Sequence, residues 1–107
     1  MLYEIKSDKK EVNGVEVETW KKEITSANIL EVEVGTTGFQ GGDTGHGGRT
    51  YLKIQDLGCT DINVYLVKDQ YFDTKGFTLE LGGDTELKTF IEALEFAVKI
   101  LKKQSKE

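Results

Sequence analysis

The sequence predicts an α+β fold: one antiparallel β-sheet of about five to six strands with a single C-terminal helix packed on a face. Short segments between Val15 and Leu81 alternate apolar and polar residues with period two, the pattern of half-buried strands. Helical spacing is confined to the C-terminal segment, where Leu87, Phe90, Ile91, Leu94, Val98 and Leu101 recur at i, i+3, i+4 and i+7. Strands do not alternate with helices, which argues against a doubly wound parallel sheet. Strand order, meander or Greek key, is left open by these signals.

Leu2–Ile5 is short and mixed and reads as an edge strand. Ser7 to Gly14 is polar and ends in Asn13-Gly14, a strong turn signal, so the chain opens with a hairpin. Val15, Val17 and Thr19 alternate with Glu16 and Glu18, and Trp20 and Ile24 continue that strand. After the break at Ser26-Ala27-Asn28, residues 29–34 form a clear strand, with Leu30, Val32 and Val34 on one face and Glu31 and Glu33 on the other. Residues 51–54 form the next strand, Asp56 to Asp61 a turn, and residues 62–67 a strand. Lys68 to Gly76 reads as a loop and residues 77–81 as the last strand. Gly82-Gly83-Asp84-Thr85 leads into the helix, with Asp84 or Thr85 as its N-cap and Glu86 at the positive end of its dipole. The leucine-rich stripe is expected to carry the core, and the tail from Gln104 to fray. Glu16, Glu18, Glu31 and Glu33 are expected on solvated outer faces.

The chain has 107 residues and reads as one domain, 1–107. A net charge of −5 repels a phosphate backbone and argues against binding extended nucleic acid. No run approaches membrane-spanning length, so no membrane partner is expected. Residues 1–6 lack the apolar segment of a secretory leader, and Cys59 is the lone cysteine. A cytoplasmic location is expected.

The chain's functional signal is the stretch from Gly35 to Thr50. Seven of the twelve glycines lie between Gly35 and Gly48, with the only histidine, His46, and the only arginine, Arg49. So much glycine costs folding entropy, and binding is the default explanation. Glycines let backbone amides converge on an anion. The candidate ligand-binding residues are Gly41, Gly42, Asp43, Thr44, Gly45, His46, Gly47, Gly48, Arg49 and Thr50. Arg49 offers a planar fork for phosphate, the threonines offer hydroxyls, and Asp43 either reads ribose hydroxyls or orients Arg49 or His46. Phe39 and Tyr51 flank the stretch. The bland alternative is a long hairpin loop whose glycines fill turn positions.

The pattern matches neither the Walker phosphate loop nor the dinucleotide fingerprint, since no helix follows. Asp43 and His46 have no third metal ligand nearby in sequence, so no metal or cofactor is expected. No nucleophile elbow is present and Cys59 sits in a turn, so no catalysis is expected. Gly41-Gly42-Asp43-Thr44 recurs as Gly82-Gly83-Asp84-Thr85, which reads as a strand-to-helix turn or as a second half of the site.

The stretch Gly-Gly-Asp-Thr-Gly-His-Gly-Gly-Arg-Thr, preceded by Glu-Val-Glu-Val-Gly-Thr-Thr-Gly, resembles a set of small proteins of Firmicutes and their phages. The resemblance covers mainly Glu31 to Leu57 and the C-terminal helix, and carries over no catalytic residues. It implies a setting where phages meet bacterial immunity, in the host cytoplasm, where small acidic phage proteins sequester signalling nucleotides. The expectation is therefore a non-catalytic protein holding an anionic, nucleotide-like small molecule. The alternative is a protein-interaction module or inhibitor that binds a host protein through a sheet edge or acidic face. A homo-oligomer is expected, because one loop encloses little of a nucleotide and open strand edges offer a route to pairing.

Overall fold

Asn13 and Gly14 both adopt positive φ, 49° and 80°, and reverse the chain between its first two strands. The computed structural model describes residues 5–42 and 46–106. Its elements are β1 (Ile5–Val12), β2 (Val15–Thr25), β3 (Ile29–Thr36), β4 (Thr50–Gly58), β5 (Ile62–Lys68), β6 (Thr74–Leu81) and α1 (Asp84–Gln104). The α+β class is as the sequence predicts. The strands are all antiparallel but form two sheets rather than one: a meander β1-β2-β3-β4 and a separate β5-β6 hairpin. Period two marks a strand and its apolar face but carries nothing about which sheet it joins. The first strand is Ile5–Val12; the expected strand over 2–5 falls largely on residues outside those described. Part of the expected 68–76 loop is strand, since β6 begins at Thr74.

The core lies between the meander and α1. The sheet contributes Ile24, Leu30, Val32 and Val34; the helix contributes Ala93, Phe96, Ala97 and Ile100. Trp20, Ile54, Ile62, Phe90 and Leu101 pack around them. The helix lies chiefly over β3, and the alanines at its contact face allow that close approach.

This overturns the expected stripe. Leu87, Ile91, Leu94 and Val98 face outward and are between 40% and 57% exposed; only Phe90 and Leu101 of that set touch the core. A second set at i, i+3, i+4 and i+7 – Ala93, Phe96, Ala97 and Ile100 – is the one buried. Its small residues made it the weaker hydrophobic signal.

Two further expectations change. Gly83, at φ 112°, holds the N-cap position with no side-chain cap bond, so neither Asp84 nor Thr85 caps the helix. Glu86 closes that end instead: it accepts from the Thr85 hydroxyl at 2.9 Å and from the Asp61 amide at 3.2 Å. These bonds hold its carboxyl below the ordinary value of 4.5, the Thr85 bond contributing most. Glu31 and Glu33 are buried, whereas Glu16 and Glu18 are exposed. Glu33 has no exposed surface: Thr19 donates to it at 2.6 Å, with Lys10 at 3.6 Å and Lys21 at 4.0 Å. Both lysine side chains keep about a third of their surface exposed. Among the described residues no helix is long and apolar enough to cross a membrane.

Candidate functional site

Thr36 and Thr50 are the last paired residues of β3 and β4, and their hydroxyls lie 2.9 Å apart. The glycine loop opens above this pair. Its base is closed by two reciprocal bonds: the Thr37 amide donates to the Arg49 carbonyl at 3.0 Å, and the Arg49 amide donates to the Thr37 hydroxyl at 2.9 Å. The Gly38 amide turns back onto the Thr36 hydroxyl at 3.1 Å. Gly38 takes φ 80°, and its Cα side presses against the backbone of Gln104 and Ser105. A methyl group there would meet the Gln104 carbonyl at 3.0 Å, so glycine is what lets the loop reach the end of α1.

Gln104 secures that junction. Its side-chain oxygen accepts from the Thr36 amide at 3.0 Å, and its amide nitrogen donates to the Glu18 carbonyl at 2.9 Å. One side chain thus ties α1 to β2 and β3 where their ladder ends. The expected fraying does not begin at Gln104, and Ser105 donates its amide to the Leu101 carbonyl at 3.0 Å.

Between loop and helix end lies an open cavity of about 620 Å³. Thr36, Thr50, Gly38 and Gly48 form its floor and one side, Phe39 to Gly42 a second side, and Leu101 and Ser105 the helical wall. Phe39 is 79% exposed. Among the described residues, no backbone donor bond occupies the amides of Gly41, Gly42 or Gly48. Lys102 and Lys103 stand in the last helical turn and offset its negative dipole end.

Of the residues singled out in the sequence, Gly41, Gly42, Gly48 and Thr50 line the cavity. His46, Gly47 and Arg49 do not. Asp43, Thr44 and Gly45 lie outside the described residues. His46 is exposed and packs its backbone against Gly42, where a Cβ would come within 2.8 Å of it. Arg49 is half-buried and donates from Nη1 to the Gly47 carbonyl at 2.7 Å, so its guanidinium shapes the loop. The helical wall had no sequence signal, because only tertiary packing brings residues 101 and 105 to the loop. Phe39 was legible as a flanking aromatic.

No family model, curated protein or solved structure matches the chain. The second Gly-Gly-Asp-Thr copy sits at the opposite end of α1, roughly 30 Å from the cavity by the helical rise over its length. It forms the turn into the helix, and Glu86 occupies the space a Cβ at Gly83 would fill.

Proposed function

We propose that the chain binds an anionic, nucleotide-like small molecule between the glycine loop and the end of α1, without transforming it. The carrying observation is the lining of the cavity. It combines paired threonine hydroxyls, the amides of Gly41, Gly42 and Gly48, for which no acceptor stands among the described residues, and one exposed aromatic ring, in a volume within the usual range for small-molecule sites. Amides and hydroxyls suit phosphate or ribose oxygens, and Phe39 offers a face for a base. The described lining is made of recognition groups, with no acid–base pair or activated nucleophile among them. In this reading Arg49 holds the loop in shape and adds positive charge behind it. The resemblance of the loop to small phage and Firmicutes proteins supports a sequestering role against a host signal.

The test is a thermal-shift panel of mono-, di- and cyclic nucleotides, followed by calorimetry on any hit. A ligand at a hundredfold excess over its Kd stabilises by about 2.7 kcal/mol and raises the melting temperature accordingly. Phe39→Ala is expected to weaken that ligand at least tenfold while melting as wild type does. Recovery of the ligand unchanged by chromatography checks the absence of turnover. No shift with any nucleotide, or full affinity in Phe39→Ala, would sink this assignment.

A further inference from the structure

The outer face of α1 and the β5–β6 hairpin are apolar and uncovered. Leu87, Ile91, Leu94 and Val98 follow one another at separations of four, three and four. That is the 3.5-residue repeat of a helix–helix seam, with leucine alternating with a β-branched residue. On the hairpin, Val64 pairs with Leu79 and Leu66 with Phe77, so all four share one face. Val64, Leu66 and Phe77 are each more than half exposed. The hairpin is anchored at its base: Ile62 packs on the core, the Gly82 amide donates to the Asp61 carbonyl at 3.1 Å, and the Asp61 amide donates to Glu86. A two-stranded hairpin is marginal in water unless another layer covers it.

The amount of uncovered surface is of the size that a dimer covers. The chain exposes 7585 Å², about 1,600 Å² more than the roughly 6,000 Å² expected of a folded monomer of its mass. Its radius of gyration is 15.3 Å against about 13 Å for a compact chain of this length. An excess of that size matches what each subunit of an obligate dimer buries. The charged ends of α1 fit a second copy of the same helix. Asp84 and Glu86 stand in its first turn, Lys102 and Lys103 in its last, and Lys88, Glu92, Glu95 and Lys99 between. Antiparallel packing sets each acidic, dipole-positive end beside the partner's lysine-rich, dipole-negative end.

We propose that this chain forms a two-fold symmetric dimer through the outer face of α1. The helices pack antiparallel about a dyad near Leu94, and the corner that bears the hairpin meets the partner's Val98 end. The interface is isologous, so each seam residue buries its counterpart region on the other copy. Dimerisation then uses the helix seam rather than the open edges of the meander.

Sedimentation equilibrium of the full chain tests this. Wild type is expected at twice the chain mass of 12.0 kDa. Leu94→Glu is expected to sediment as a monomer, and Phe77→Ser to weaken the dimer at least tenfold. A second measurement does not depend on those variants folding. In a Cys59→Ser background, Leu94→Cys should form a covalent dimer on mild oxidation, and Glu23→Cys, exposed on the opposite sheet face, should not. A wild-type monomer at every folded concentration would overturn the proposal and leave the apolar face to a foreign protein. A dimer that survives Leu94→Glu, or cross-links through Glu23→Cys instead, would overturn it in favour of another surface. A dimer indifferent to Phe77→Ser would remove the hairpin from the interface.

Discussion

The two faces of α1 invert the usual relation between size and burial. The inner face holds two alanines, Thr89 and Glu86 beside Phe96 and Ile100; the outer face holds Leu87, Ile91, Leu94 and Val98. Small residues are inside because the helix lies close over β3, where Val32 and Val34 already fill the layer. Among the described residues, no sheet or helix covers the large ones, which stay 40% to 57% exposed. Helical periodicity reveals that apolar stripes exist. It does not say which stripe a sheet covers when two overlap on one helix.

The largest expected effect lies on the inner face. Phe96→Ala removes a ring from a closed core and should lower stability by about 3–5 kcal/mol, read from urea melts. A loss below about 1 kcal/mol would break the distinction between the faces at once. Next comes overfilling: Ala93→Leu inserts methylenes where α1 touches the sheet and should cost about 1–3 kcal/mol. A neutral result would mean that the helix stands further from β3 than described.

Glu86 sharpens the comparison through pH. Its carboxyl is held below 4.5 by the Thr85 hydroxyl first and the Asp61 amide second. A depressed folded pKa stabilises fully above the unfolded value. That stabilisation is lost as the pH falls below 4.5 and through the lower folded value. The stability gap between wild type and Glu86→Gln should thus be flat near neutrality and shrink on acidification. Melts from about pH 7 to about pH 3 measure it; a gap that widens in acid would reverse the assignment.

The smallest effects belong outside the core. Val98→Ala, in solution dilute enough to be monomeric, should stay within roughly 0.5 kcal/mol of wild type. His46→Ala, in the exposed loop, should do the same. If Val98→Ala matched Phe96→Ala under those conditions, the outer face would be part of the monomer's own core.

How much of this was legible follows the range of the interactions. The Asn13-Gly14 reversal and the alternation of Leu30, Val32 and Val34 are local, and both stand in the structure as the sequence implies. The glycine loop was legible as an entropy-costly insertion between strands. Its cavity was only half legible, because Leu101 and Ser105 reach it through the packing of α1 on β3. The burial of Glu33 was hidden for the same reason: strand register, not spacing along the chain, sets Lys21 and Lys53 opposite it.

Gln104 has one more consequence, for chain length. Shortening a helix from its end normally weakens it by degrees, since the last turn contributes least. Here the last helical residue holds two strands and the mouth of the loop with a single amide group. Removing residue 106 should be silent; removing residue 104 should release the Thr36 amide and the Glu18 carbonyl together. A nested series of C-terminal deletions should therefore show a step at Gln104 instead of a slope, with the cavity wall lost at the same cut. The end of α1 works as a latch whose engagement is read at one position.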